Sequence, residues 1–246
     1  MLPDTFAKSG LMIRPGAQPP TRFQVLGERS SGTNYLKRLL GRNTPLTPSE
    51  ALGWKHGHIQ TLAIPRDMLV VVSLRNAADW ALSMFAKPWH TPPDMQALPF
   101  MDFLQAPWDT IVDHPKYFAN AGPLMVGQPL QQDRDPLTGL PYANLCALRT
   151  GKLHSHLSLL NRGCALLIAR HETVLADPAA FLATLRNTLH LPTPDTPLRP
   201  VVKRLGTRFN AAAPRPPHPG QLPPEALAYL RAHLDLPLES SLGYTY

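Results

Sequence analysis

Two cysteines in 246 residues, Cys146 and Cys164, are too few and too far apart for a disulfide framework or a zinc site. No stretch approaches the roughly 18 consecutive apolar residues of a membrane helix, so no membrane span is expected. The opening "MLPDTFAKSGLMIRPGAQPP" has no apolar core of signal-peptide length, which makes a reducing cytoplasm the expected location. Aromatic residues make up only 7%, and no Lys/Arg run reaches five. With neither a stacking platform nor a basic stripe, a dedicated nucleic-acid binder is not expected. The 15 glycines are outnumbered by 29 prolines, many of them in connections such as "QPP", "HTPPDM" and "APRPPHPGQLPP". Such connections are rigid and irregular rather than flexible linkers.

What is present points to a folded protein with an anionic partner. A composition of 43% hydrophobic and 17% charged residues supports a sizeable core. The net charge of +7 calls for a nucleic acid, an anionic lipid surface or a phosphorylated small ligand.

Strand and helix signals alternate along the chain. "FQVL" (23–26) reads as a strand, followed by a glycine loop and the helix "TNYLKRLLG" with Gly41 as its stop. "MLVVVSL" (68–74) is nearly continuous in apolar residues, as a strand buried on both faces is. Asn76 caps the next helix, with Trp80, Ala81, Met84 and Phe85 on its apolar side. Further on come a helix over 144–160, the strand "CALLIA" (164–169), a helix opened by Asp177-Pro178, and a last helix in "PPEALAYLRAHL". This alternation predicts an α/β fold with a central parallel sheet flanked by helices on both faces. Residues 1–21 read as a loose leader and 22–220 as one domain, with a proline-rich insertion over 87–141 acting as a substrate lid. Residues 221–246 form a C-terminal helix and tail packed on that domain.

The residues with chemistry begin at "GERSSGTN" (27–34). Gly27 and Gly32 have the spacing of a phosphate-binding loop, yet Thr33 and Asn34 stand where a nucleotide hydrolase places Lys and Ser/Thr. Such a loop still offers backbone N–H groups and a positive helix end to an anion, through Ser30, Ser31, Gly32, Thr33 and Asn34. It is poorly suited to cleaving a magnesium-bound triphosphate. A serine-rich turn that merely caps a helix is the other reading. In "SLRNAADWALS", Arg75 leaves the carboxyl end of the buried strand, where ligands bind in open α/β sheets, and can fork a phosphate. Ser83 lies on the following helix and can add a hydroxyl to the same group. Taken singly, Arg75 reads as a salt-bridge partner and Ser83 as a small packing residue.

Together, S-G-T-N after a first strand and R-N-x-x-D-x-x-x-S after a buried one resemble the sulfotransferases that use 3′-phosphoadenosine-5′-phosphosulfate (PAPS). The resemblance spans roughly residues 22–210 and implies a three-layer, P-loop-type fold. It also implies metal-independent transfer of a sulfuryl group to a hydroxyl or amine, on a small-molecule or glycan acceptor. The loop, Ser30 to Asn34, would grip the 5′-phosphosulfate, and Arg75 and Ser83 the 3′-phosphate. "LLIARHETVLADP" is similar to the family's strand followed by R-Y-E-x-L-x-x-D-P, with Arg170, Glu172, Asp177 and Pro178 matching. "VVKRLGTRFN" is similar to its basic closing loop, which makes Lys203, Arg204 and Gly206 candidates for the nucleotide. In "GWKHGHIQTLAIP", the family's Lys-x-His element is matched by Lys55 with His56 or His58 as the base that takes the acceptor's proton, His56 being favoured. The bland reading of either histidine is a solvated loop residue.

The chain departs from the family at Ser30, where many relatives carry Lys or Arg aimed at the sulfuryl group. That role passes to Arg29 or Lys55, or transfer is weakened or lost. The dimerisation signature K-x-x-x-T-V-x-x-x-E is absent. Three alternatives compete: an unusual P-loop kinase, a nucleotide-binding protein without turnover, and a basic nucleic-acid binder. The first needs magnesium-dependent ATP binding, the second binds 3′,5′-adenosine bisphosphate (PAP) without catalysis, and the third shows steeply salt-dependent affinity. Aromatic residues of the insertion (Trp89, Phe100, Phe103, Trp108, Tyr117 and Phe118) line the acceptor pocket or form local core.

Overall fold

The structure, a computed structural model, describes residues 2–118, 121–202 and 208–246. In chain order its regular elements begin with α1 (Phe6–Ser9), β1 (Leu11–Arg14), β2 (Arg22–Leu26), α2 (Thr33–Asn43), β3 (Thr47–Pro48) and β4 (Met68–Leu74). Then follow α3 (Ala77–Ala86), α4 (Pro93–Gln96), α5 (Phe100–Gln105), α6 (Leu145–Leu157) and β5 (Ala165–Arg170). The chain continues through α7 (His171–Ala176), α8 (Pro178–Leu189), α9 (Pro224–His233) and α10 (Leu236–Ser241).

The strands form one five-stranded sheet in the order β1-β5-β4-β2-β3. All neighbours are parallel except β1, which runs antiparallel to β5 from Leu11↔Ala169 to Arg14↔Leu166. Every residue of β4 is buried, in agreement with its apolar run. Alternate side chains feed opposite faces. Leu69 and Val71 join Leu36, Leu39 and Leu40 of α2 and Phe181, Leu182 and Leu185 of α8. Met68, Val70, Val72 and Leu74 join Phe6, Leu153, Leu159, Leu242 and Tyr244 on the other side. The fold is thus α/β, a mostly parallel sheet with helices around it.

Two expectations are corrected. Residues 1–21 are not a loose leader, because Phe6 is fully buried and β1 pairs along the edge of β5. α2 does not stop at Gly41 but runs to Asn43, where Thr44 turns to an extended conformation and its N–H still bonds the Leu40 carbonyl. Gly41 serves instead as a helix residue above the Phe23 ring. Within the proline-rich insertion, Phe100, Phe103 and Trp108 are buried with Trp80, Phe85, Leu145 and Leu148 in a third core. That core is the local one that the aromatic content allows. The cap of α3 matches expectation: Asn76 accepts from the Asp79 N–H at 2.8 Å.

Candidate functional site

The carboxyl ends of three adjacent parallel strands carry Gly27 after β2, Arg75 after β4 and His171 after β5. This is the edge at which open α/β sheets take ligands. Gly27 has φ 150° and Gly32 has φ 94°, backbone that favours glycine. A methyl on Gly27 would sit 2.6 Å from the Ser73 carbonyl, and one on Gly32 would run into the His171 ring.

Between these glycines the loop is held by its carbonyls. Gly27 O lies 2.7 Å from His56 Nδ1. Glu28 O accepts from the Ser31 N–H and hydroxyl, at 3.2 and 2.8 Å. Arg29 O accepts from Trp80 Nε1 (2.9 Å), Ser30 O from Arg75 Nη1 (2.9 Å) and Ser31 O from the Ser73 hydroxyl (2.6 Å). Five consecutive carbonyls are therefore engaged. The N–H groups of Gly32, Thr33 and Asn34, at the start of α2, have no partner among the described residues. An unsatisfied first turn of an 11-residue helix behind a glycine loop is a ready anion cradle.

Gln24 of β2 brings the second segment to the loop. Its buried side chain donates to the Gly53 carbonyl and accepts from the Leu52 N–H, both at 2.8 Å. The next residues then lie beside the loop: Gly27 N–H donates to Lys55 O at 3.0 Å, and Lys55 Nζ donates to Asn34 Oδ1 at 2.6 Å. Burial, followed by the nearby Lys37 charge, lowers the Lys55 ammonium pKa. A carbonyl only accepts, so His56 Nδ1 carries the hydrogen in its bond to Gly27 and Nε2 keeps the lone pair. Burial, then Lys55, holds the His56 pKa well below its ordinary value, so the imidazole is neutral at pH 7.

His58 is placed differently. It is 6% exposed, its Nε2 lies 3.0 Å from the Tyr142 hydroxyl, and burial and Lys152 depress its pKa to about 4. Its contacts are those of a packed side chain behind the site. Arg29 also turns away from the cradle. It is 4% exposed, ion-paired with Asp133, and lies 5.6 and 5.4 Å from the Trp54 and Trp108 rings. Ser83 is half-buried on α3, with no hydroxyl bond to Arg75 or to the loop among the described residues. Lys203, Arg204 and Gly206 lie outside the described residues. Of the candidates, the structure brings together the loop, Lys55, His56 and Arg75.

Sequence reasoning missed the charges beneath the loop. Glu28, Arg29, His56, Asp133 and Lys152 line a small pocket of about 10 Å³, room for about one water. Glu28 Oε1 and Arg29 Nε and Nη1 have no partner there. Burial raises the Glu28 carboxyl to about 7, against the opposing pull of Arg149. Lys152 Nζ meets His56 O at 3.0 Å, Gln132 O at 2.5 Å and Asp133 Oδ1 at 3.0 Å. The available signal was phase: Arg149 and Lys152 fall on the stripe of α6 that Leu145, Leu148 and Leu153 bury. His171 was likewise unassigned; its ring packs over Gly32, and burial and then Arg75 lower its pKa.

A wider groove of about 350 Å³, between Thr61–Arg66 and Arg162–Ala165, opens at the amino-terminal ends of β4 and β5. It holds none of these groups. No group of three or more His, Cys, Asp or Glu suited to a metal occurs among the described residues. No helix among them is long and apolar enough to cross a membrane. No family model matches the chain, and searches of curated proteins and of solved structures find no significant match.

Proposed function

We propose that the chain is a PAPS-dependent sulfotransferase on a three-layer, P-loop-type fold. The observation that carries the reading is the tied-back loop, with free amides at Gly32, Thr33 and Asn34 beside Arg75 and the free Nε2 of His56. The residues fit the group: the amide cradle suits the 5′-phosphosulfate, and Arg75, which spends Nη1 on Ser30 O, keeps guanidinium nitrogens for the 3′-phosphate. When bound, PAPS supplies a sulfuryl group on a phosphate leaving group. The acceptor's oxygen or nitrogen forms the new bond to sulfur, the bridging S–O bond breaks, and the acceptor's proton goes to His56 Nε2. Lys55, bonded to Asn34 at the start of α2, would stabilise the leaving oxygen that gains charge, in place of the loop cation that Ser30 lacks. Arg29, buried against Asp133, serves the loop's anchorage instead. Trp54 lies edge-on to His56 at 5.5 Å and packs against Phe118 at 5.4 Å, while Trp89 meets Tyr117 at 5.7 Å. These half-buried rings form a wall suited to a ring-bearing small molecule or a glycan.

The test is a calorimetric titration with PAP, with and without magnesium, beside ATP. Micromolar PAP binding that ignores magnesium and collapses in Arg75→Ala is the expected result. His56→Ala should keep PAP binding and lose about 10²–10⁴-fold in turnover of radiolabelled PAPS with an acceptor. PAP binding without turnover on any acceptor would favour a non-catalytic nucleotide-binding protein, a reading that Ser30 supports. Binding of magnesium-ATP alone would replace the proposal with a kinase.

A further inference from the structure

The turn from β4 to α3 carries Arg75, and groups distant in sequence take up its polar atoms one after another. Arg75 O accepts from Arg149 Nη2 at 2.8 Å. Asn76 donates to Glu172 Oε1 through its N–H at 2.9 Å and its side-chain amide at 2.8 Å. Ala77 N–H donates to the phenol oxygen of Tyr246 at 2.7 Å.

Behind these partners stands one segment, residues 239–246. Glu239, 2% exposed, accepts from Arg149 Nε and Nη2 at 2.6 and 2.9 Å. The Tyr246 hydroxyl donates to Glu239 Oε2 at 2.9 Å while it accepts from Ala77. The Tyr244 hydroxyl donates to Glu172 Oε2 at 3.1 Å. Arg170 Nη1 donates to Gly243 O at 3.0 Å, with its guanidinium 5.7 Å from the Tyr244 ring. Burial raises the pKa of both phenols, so both are protonated donors at neutral pH.

The first N–H groups of a helix have no partner within it, and leaving such a group buried and unpaired costs about 1–3 kcal/mol. Tyr246 meets that need for Ala77, and Glu172, held by Tyr244, meets it for Asn76. From this turn Arg75 reaches across to the Ser30 carbonyl. The contacts form an unbroken series from the C-terminal segment to the glycine loop. We propose that residues 239–246 are a positioning element of the anion site. Tyr246, and Tyr244 through Glu172, hold the turn so that Arg75 keeps its grip on the loop, and neither touches the ligand. The inference rests on the anion-site reading above, but its first readout does not need the nucleotide.

The test uses the full chain with Tyr246→Phe, which keeps the ring and deletes the hydroxyl. Amide hydrogen exchange, thermal unfolding and PAP titration are compared with the unaltered protein. Exchange at residues 75–77 should quicken about tenfold or more, and the hydrogen-bonded loop amides of Gly27 and Ser31 should quicken with it, while β5 keeps its rates. PAP affinity should fall about fivefold to twentyfold. Tyr244→Phe should move the same readouts less, and it carries the test if Tyr246→Phe does not fold. Quickening confined to Ala77, or none, overturns the inference, and so does a loosened loop with unaltered PAP affinity. If the unaltered chain fails to bind PAP, the nucleotide reading falls, and the exchange of the loop alone decides the coupling.

Discussion

Glu28 and Arg29 are consecutive in the loop, yet they enter two buried charge clusters of opposite balance. Glu28 joins Glu239 around a single cation, Arg149, at 3.3 and 2.6 Å. Arg29 joins Lys152 around a single carboxylate, Asp133. The first cluster has one negative charge too many and the second one positive charge too many. Each resolves its excess differently. In the acidic cluster, burial pushes Glu28 up to about 7, so a proton removes about half of the surplus charge at pH 7 and nearly all of it at lower pH. In the basic cluster, burial pushes Asp133 up, but Arg29 and Lys152 outweigh it and hold the carboxyl below its ordinary range. Its surplus is spread over neutral acceptors, His56 O and Gln132 O, which take Lys152. An excess of acid can be neutralised near pH 7, whereas buried cations need fixed acceptors. The basic cluster is therefore the one that its geometry must hold together.

Asp133→Asn breaks the comparison most severely. It leaves Arg29 and Lys152 buried together without the carboxylate that pairs with both, and it weakens the bond from the Thr110 hydroxyl, 2.7 Å from Oδ2. Removing one partner of a buried pair costs about 3–5 kcal/mol, a large share of a domain's usual stability. Urea unfolding at pH 7 should show that loss. A change under about 1 kcal/mol would mean that the cluster does not depend on its carboxylate.

Glu28→Gln addresses the acidic cluster and should act in the opposite sense. With its folded pKa raised from 4.5 to about 7, Glu28 contributes stability below about 4.5 that is lost as pH rises through 7. The glutamine carries no such loss. Relative to the unaltered protein, the variant should gain about 1–2 kcal/mol between pH 5 and pH 8, read from unfolding curves at both values. A difference independent of pH would place the Glu28 proton elsewhere.

What was legible in the sequence was local. The buried strand β4, the Asn76 cap and the Asp177 cap of α8 each follow from residues within a few positions of one another. The loop's glycines were legible for the same reason, since their spacing and φ values belong to one turn. What could not be read depends on pairs far apart. Asp133 lies 104 residues from Arg29, and Tyr246 lies 169 from Ala77. Arg29 looked like a free cation because nothing near it in sequence reveals its acidic partner. The edge strand β1, only four residues long and followed by "PGAQPP", gave no pairing signal of its own until β5 was in place beside it.

The smallest effect sharpens the same contrast from the basic side. Lys152, after burial, helps to depress His58 to about 4 and His156 to about 3. For a histidine whose folded pKa lies below the unfolded value near 6.5, the unfolded chain takes the proton first. Stability is then full above about 6.5 and falls as pH drops toward 4, opposite in sign to the Glu28 contribution over the same range. His58→Gln keeps a partner for the Tyr142 hydroxyl but removes one of these slopes. Its difference from the unaltered protein should be near zero at pH 7 apart from packing, and should shift in the variant's favour by under about 1 kcal/mol at pH 5. Thermal unfolding at the two pH values, repeated in the Glu28→Gln background, separates the two slopes. If His58→Gln leaves the acid side of the stability curve unchanged in both backgrounds, neither burial nor Lys152 depresses the histidine's pKa.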